Sequence, residues 1–419
     1  MLSYDEARDR LLAACTPVCE VEEVSARDAR GRVLAVDLVS PVDVPPLDNS
    51  AMDGYAVRVA DIAAAGTVLA VAQRIAAGGV GTSLAAGSAA RIFTGAPVPP
   101  GADAIVMQEQ CAVVDGGVRI DARPAPGEHI RRRGEDIARG QVVLPAGTWL
   151  GPAQLGVAAS VGADRLRVWR RVRVAVLATG DELAMPGTPV DALAPGTIYN
   201  SNLATLCALV EATGCEVGLA RQVADDLETT RAALRDAAAT HDLVLTSGGV
   251  SVGEADHVKP AVAAEGALDV WKIAIKPGKP LAFGHVRRVA DNRRATSTVV
   301  SNSDRAHFIG LPGNPVSAFV TFAILVRPFL RALQGGTATD GEPIDMRADF
   351  DWPPGGKVEP RREFLRVRRN AAGGLDLFAN QSSGVLTSCA WADGLVDNPA
   401  QCVIRKGDRV RYLPLAEWT

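Results

Sequence analysis

The chain has 419 residues, and 44 Lys+Arg against 48 Asp+Glu leave a net charge of −4. At about 100–200 residues per domain, this length predicts roughly two to four domains, while 47% hydrophobic and 22% charged residues exclude a disordered chain. Near-neutral charge without a basic face excludes a dedicated nucleic-acid binder.

The acidic start, Met1 through Glu6, lacks the apolar stretch of a signal peptide. The longest clean apolar run, 316–326, falls short of the roughly 20 residues that a membrane span needs. A cytoplasmic protein without a membrane partner is expected. Residues 4–15 place Ala7, Leu11 and Leu12 at helical spacing, with Ser3 as N-cap and Glu6 three residues later, a capping-box pattern. The seven cysteines are odd in number, include Cys15 and Cys19 one helical turn apart, and form no Cys-x-x-Cys. With the histidines scattered, no zinc or disulfide framework is expected, and most thiols should be small core residues.

A proline-rich loop follows at 41–46. From 55 to 147, apolar runs at 67–72, 104–107 and 141–144 alternate with Gly and Pro clusters and predict a mostly β region. A helix over 154–161 precedes a change of pattern. Strands are then expected at 172–178, 216–222 and 242–246, with helices at 202–212, 227–239 and 258–264. Further strands at 271–275, 281–283 and 307–311 lead into a long helix, 316–333. Buried apolar strands alternating with helices predict a parallel sheet covered on both faces. The polar segment 286–305 is expected as an exposed loop or hairpin. Beyond Gly335-Gly336, short strands at 363–367, 375–379, 403 and 409–413 predict a small all-β unit.

Ligands of open parallel sheets bind beyond the C-terminal strand ends. Three loops are expected there: Thr179-Gly180-Asp181-Glu182, the stretch from Thr246 through Gly248, Gly249, Ser251 and Glu254 to Asp256, and Gly310-Leu311-Pro312-Gly313-Asn314-Pro315. Glycines admit backbone N–H groups close to an anion, and a helix start with Pro315 in its first turn and Asn314 as cap adds a favourable dipole. Each loop alone also reads as a tight βα turn; together they favour a phosphate or nucleotide site. None fits Gly-x-Gly-x-x-Gly or the Walker A pattern. Glu182, Glu254 and Asp256 beside phosphate would repel it unless a hard cation such as Mg²⁺ intervened. Lys276-Pro277-Gly278-Lys279-Pro280 sets two ammonium groups on a stiff turn, suited to a compact anion or simply an ordinary charged turn. The polar loops around Asp53, Thr94 and Asp136 suit a pocket wall as well as they suit turn and cap chemistry.

The stretches Asn49 through Ala56, Thr94-Gly95-Ala96-Pro97, Gly134-Glu135-Asp136, Thr246 through Asp256, Lys276 through Pro280 and Gly310 through Pro315 occur in the order found in the molybdopterin molybdenumtransferase family, comprising MoeA and the E domain of gephyrin. The chain resembles that family along essentially its whole length. The resemblance implies an elongated homodimer of four-domain subunits: 1–43 with 141–170 as an N-terminal elongated dimerisation domain, 44–140 as an inserted mostly-β domain, 171–334 as a molybdopterin-binding-like α/β domain, and 335–419 as a C-terminal β-barrel-like domain. It implies insertion of molybdenum from molybdate into adenylyl-molybdopterin with release of AMP, promoted by Mg²⁺. Carried over by motif, the active-site residues are Asp53, Thr94, Asp136, Glu182, Asp256, Lys276 and Lys279. Asp256, with Asp225, would hold the cation; Gly248, Gly249, Ser251, Pro312, Gly313 and Asn314 would line the nucleotide; Arg366 would join the lysines around molybdate, with Ser247 and Ser383 as hydroxyl donors. Asp53 and Asp136 would come from the partner subunit, and a transient contact with the molybdopterin adenylyltransferase is allowed for. Two departures stand out: 286–305 is longer than the usual turn, and Ser382-Ser383-Gly384 with Trp391 through Leu395 differs from the eukaryotic form.

Two other readings compete. A fused adenylyltransferase would need a second Thr-Ser-Gly-Gly-Val-Ser stretch, which the chain lacks. A non-enzymatic scaffold would have no use for Asp53, Asp256 and both lysines together.

Overall fold

The computed structural model describes residues 1–18, 20–249, 257–288, 304–336 and 343–415. Its first helix, Tyr4–Ala13, carries the expected capping box: the Glu6 N–H donates to Ser3 Oγ at 3.2 Å and the Ser3 N–H donates to Glu6 Oε2 at 2.8 Å. Cys15 lies beyond this helix, so the helical spacing expected for the first two cysteines does not apply, and Cys19 lies outside the described residues. Ala7 and Leu11 pack into the core of the α/β unit. Leu2 bridges to Ile273 as a short parallel strand would, and the Tyr4 ring meets Phe364 edge-on at 5.4 Å. This leading segment therefore packs with the central and C-terminal units, whereas the resemblance groups it with 141–170.

The region before the α/β unit is built where the chain leaves and returns. Val21–Ser25 pairs antiparallel with Arg165–Trp169, and Leu38–Val39 with Val142–Leu144. Helix Pro152–Ser160 covers the small core of Leu34, Leu150, Leu166 and Val168. Between these pairings sits a six-stranded sheet in the order Ala104–Met107, Gly54–Val57, Ser88–Ile92, Thr67–Ile75, Gly117–Ile120, Cys111–Val114. Arg170 anchors the region to the next unit: its guanidinium reaches both Asp242 oxygens at 2.7 and 2.9 Å and Glu20 at 2.8 Å.

The central sheet runs in the order Glu216–Val223, Arg173–Thr179, Leu243–Ser247, Arg305–Leu311, Pro280–Arg287, Gly266–Lys272. The first four strands are parallel, as expected; Pro280–Arg287 runs against them and pairs antiparallel on both sides, a correction to an all-parallel reading. The physical reason is connection length, because a parallel crossover needs about a dozen residues and the turn through Lys276-Pro277-Gly278-Lys279 is shorter. Strand 271–275 is also corrected. It divides into the end of Gly266–Lys272 and a separate Ile275–Lys276, which pairs with Arg362 and Glu363 of the C-terminal unit. The 286–305 segment begins and ends as hairpin arms, Val286 facing Ala306 and Arg287 facing Arg305; its middle lies outside the described residues. The closing helix runs Pro315–Leu333. It is long and apolar enough to cross a membrane, but 83% of its most apolar window is buried, so the core accounts for its apolarity.

The C-terminal unit is a closed five-stranded barrel of Arg362–Arg369, Gly374–Leu377, Ile344–Ala348, Arg409–Pro414 and Gly394–Asn398, the last pairing back to the first. Gly394–Asn398 escapes sequence reading because it is wholly buried yet ends in Asp397 and Asn398. Asp397 is neutralised by Arg362 at 2.6 and 2.7 Å, and Asn398 donates to Glu363. Arg362 also reaches Asp5 at 2.9 Å and stacks 4.5 Å over Tyr4, tying the first helix to the barrel. Among the described cysteines Cys215 and Cys389 are buried, but Cys402 is exposed and the rest are half-buried, so most are not core residues.

Removing one partner of a buried ion pair leaves an uncompensated charge, whereas exposed pairs contribute about 0–1 kcal/mol. Arg362→Ala should therefore destabilise the protein by about 3–5 kcal/mol. Arg133→Ala, which loses the exposed Arg133–Asp43 pair, should cost about 1 kcal/mol or less. Denaturant unfolding of both variants checks the contrast.

Candidate functional site

Register brings the chemistry together. Ala178 lies beside Ser247, Thr179 beside Val223 and Ser247 beside Leu311, so four parallel strands end at one level. Because Pro280–Arg287 runs the other way, the loop before it, not after it, reaches the same edge. The barrel closes the far side: the Val316 N–H, in the first turn of the closing helix, donates to the Ser383 carbonyl at 3.1 Å. Between them lies a cleft of 970 Å³ whose walls include Glu182, Asp225, Ser247, Gly248, Gly249, Lys276, Lys279, Pro312, Gly313, Asn314 and Ser383.

Gly248 and Gly249 have φ of +92° and +67°, in the left-handed region. A Cβ on Gly248 would come 2.8 Å from the Thr179 carbonyl, and one on Gly249 would run into the Val258 side chain. Glycine is thus required by conformation and by space, and without a Cβ the loop backbone can come close to a ligand, while the Gly248 N–H is itself taken by the Leu311 carbonyl at 3.2 Å. Asn314 occupies the N-cap position and Pro315 the first turn, but the Asn314 side chain makes no cap hydrogen bond, which corrects the expected cap. A residue that sequence reading left unassigned, Asn202, ties these loops together: its amide donates to Ser247 Oγ at 2.8 Å and to the Gly313 carbonyl at 2.7 Å. Its only sequence signal is a polar residue in the first turn of Ser201–Ala212.

The cationic wall differs from a simple pair of free lysines. Lys276 Nζ sits 3.2 Å from Glu359 and 3.3 Å from Glu363. Glu363 is buried and also accepts from Trp352 Nε1 at 2.7 Å. Lys279 is exposed and has no ion-pair partner among the described residues. Arg361, overlooked in the sequence beside Arg362, lines the cleft and grips Glu359 with two bonds of 2.7 and 3.1 Å. Arg361 and then Lys276 hold the Glu359 carboxyl below its ordinary range. Arg366, expected at molybdate, does not line the cleft. It is buried, donates to Ser388 Oγ and to the Phe364 and Ser382 carbonyls, and burial pushes its guanidinium down to about 10. Through Ser382, and through Gln381 bonded to its main chain, it shapes the loop that does reach the cleft.

The acidic wall consists of Glu182 and Asp225. Burial raises the Asp225 carboxyl; His257 opposes the rise, and Asp181, Glu182 and Asp226 add to it. Among the described residues no three ligating side chains form a ready metal cage. Asp256 and Ser251 lie outside the described residues.

Asp53, Thr94 and Asp136 do not line this cleft; they stand in turns, Asp53 just before strand Gly54–Val57, Thr94 just after strand Ser88–Ile92 and Asp136 beyond Ile130–Arg131. Thr94 donates to Asp53 Oδ1 from both its N–H and its hydroxyl, each at 2.7 Å, and these bonds hold the Asp53 carboxyl below its usual range. Asp136 is exposed.

The architecture and cleft define a multidomain protein whose α/β unit presents a glycine-lined edge against a β-barrel. Family models agree with this class: the MoeA N-terminal region (domain I and II) matches residues 2–162, a probable molybdopterin binding domain 175–332, and the MoeA C-terminal region (domain IV) 347–415. The chain is 41% identical to a molybdopterin molybdenumtransferase of Haemophilus influenzae over 80% of this chain and 78% of that protein. It is 38% identical to molybdopterin molybdenumtransferase 2 of Mycobacterium tuberculosis over 95% and 96%. A crystal structure of a molybdopterin biosynthesis MoeA protein from Pyrococcus horikoshii superposes with a TM-score of 0.78 at 27% identity, covering 98% of this chain and 99% of that one. The chain belongs to the molybdopterin molybdenumtransferase family.

Gly249→Ala should destabilise the protein by about 1–3 kcal/mol through backbone strain and should abolish ligand binding in the cleft. Thermal unfolding together with calorimetric titration of AMP checks both effects; Gly156→Ala, where a Cβ meets nothing, serves as control.

Proposed function

We propose that this chain takes adenylyl-molybdopterin and molybdate and forms molybdenum cofactor, releasing AMP. The observation that carries the reading is the division of one cleft into two walls: a glycine edge without side chains beside carboxylates, and a lysine–arginine wall on the barrel side. The first suits a phosphate-bearing nucleotide and the second a compact oxyanion. Lys276, Lys279 and Arg361 against Glu359 and Glu363 leave one net positive charge. That is enough to attract molybdate without trapping it, since each carboxylate competes for the same cations.

In this reading Gly248, Gly249, Pro312, Gly313 and Asn314 hold the nucleotide, and Lys276 and Lys279 orient molybdate toward the dithiolene, with Ser383 beside them. Asp225 and Glu182, with Asp256, which follows Gly249 in the sequence outside the described residues, would hold Mg²⁺ with phosphate oxygens. The raised Asp225 carboxyl supports this, because a hard cation relieves crowding among carboxylates and needs only one or two of them. When bound, Mg²⁺ neutralises pyrophosphate charge. Asp53, Thr94 and Asp136 would complete the site from a second subunit of a homodimer. The same reading carries a cytoplasmic location and a transient contact with the adenylyltransferase that supplies the substrate.

Anaerobic turnover of adenylyl-molybdopterin with molybdate tests the reaction: AMP and active cofactor should form, and Lys276→Ala with Lys279→Ala should lower kcat/KM for molybdate by about tenfold or more. Binding without AMP release would reject it. Mixing Asp53→Ala with Lys279→Ala subunits tests the shared site; random reassociation should restore about a quarter of wild-type activity, and no recovery would place Asp53 outside it. A group whose carboxyl is raised on folding contributes stability below its unfolded pKa and loses it as pH rises through the folded value. Asp225→Asn should therefore raise the apo-protein melting temperature at neutral pH, leave it unchanged at pH 3, and remove the stabilisation by added Mg²⁺.

A further inference from the structure

We propose that Asn202 is a positioning residue that holds the Ser247 hydroxyl as a hydrogen-bond donor pointing into the cleft, toward an anionic oxygen of the bound nucleotide. The inference rests on the function proposed above and assigns a task to a residue outside the motifs.

The argument begins at Gly313. Its carbonyl oxygen can only accept, so the Asn202 atom 2.7 Å away must be the nitrogen, which fixes the amide orientation. The same Nδ2 lies 2.8 Å from Ser247 Oγ, and its second hydrogen goes there. Ser247 Oγ therefore accepts from Asn202 and cannot return its own proton to that partner. Among the described residues no acceptor receives the Ser247 hydroxyl proton. Ser247 is 3% exposed yet lines the cleft, at the end of a central strand and immediately before Gly248. A hydroxyl that is buried on one side, already accepting one bond and unsatisfied as a donor is set to donate to an anion in front of it. With both amide hydrogens engaged, Asn202 Oδ1 has no partner among the described residues and remains an acceptor on the same wall. One side chain thus clamps two loops and sets the direction of a third group's hydrogen bond.

Asn202→Asp separates this polarity from shape. The carboxylate is nearly isosteric but would accept the Ser247 proton and repel the Gly313 carbonyl. Full-length protein is titrated calorimetrically with AMP for wild type, Asn202→Asp, Ser247→Ala and the double variant, with melting curves for each. Ser247→Ala preserves the Gly313 clamp and so remains informative if Asn202→Asp is poorly folded. The expected result is about tenfold or greater loss of AMP affinity in each single variant, as for a lost hydrogen bond to a charged group. The double variant should be no weaker than the weaker single one, because both act through one hydroxyl. Asn202→Asp or Ser247→Ala binding AMP within twofold of wild type would overturn the proposal, as would losses that multiply in the double variant. Absence of AMP binding by the wild type would remove the functional reading itself, and this proposal with it.

Discussion

The site depends on strand direction. Four parallel strands of the central sheet end level with one another, and the adjoining Pro280–Arg287 strand runs antiparallel. That single reversal decides which loops meet. Were Pro280–Arg287 parallel, Lys276 and Lys279 would lie at the opposite edge of the sheet from Gly248, Gly249 and Gly313. The turn between Lys272 and Pro280 is too short for a parallel crossover, so a limit of chain geometry puts the lysines beside the glycine loops.

The barrel then sets the charge of the cleft. Ile275–Lys276 pairs in register with Arg362 and Glu363, which brings Lys276 against a buried carboxylate instead of leaving it solvated. Glu363 is held by Trp352 and Asn398, and neighbouring Arg362 satisfies Asp397. Packing of the C-terminal unit and the charge of the lysine–arginine wall thus share the same few side chains. A change that loosens the barrel would also release the cations, and stability and activity are coupled there by construction.

Much of this was legible in advance. The capping box at Ser3 and Glu6 and the buried strands 173–179 and 243–247 are written in local chemistry and period. The glycine and lysine motifs named the loops that line one cleft. What escaped was whatever looks unremarkable locally. Gly394–Asn398 is not among the expected strands, because its buried polar residues find partners only across the barrel. Asn202 reads as a helix-start residue, and Arg361 as half of an Arg-Arg pair. Arg366 shows the converse: a motif position suggested an exposed cation, and the fold buries it.

The amino-acid sequence alone therefore determined the element types, the identity of the loops and the family, because helix period, strand burial, turn glycines and ordered motifs are properties of neighbouring residues. Tertiary structure alone decided the antiparallel reversal, the barrel closure, the pairing of Lys276 with Glu359 and Glu363, and the burial of Arg366. Those outcomes depend on which distant backbone segments share hydrogen bonds and which charges are removed from water together, and neither is encoded in any local window of the chain.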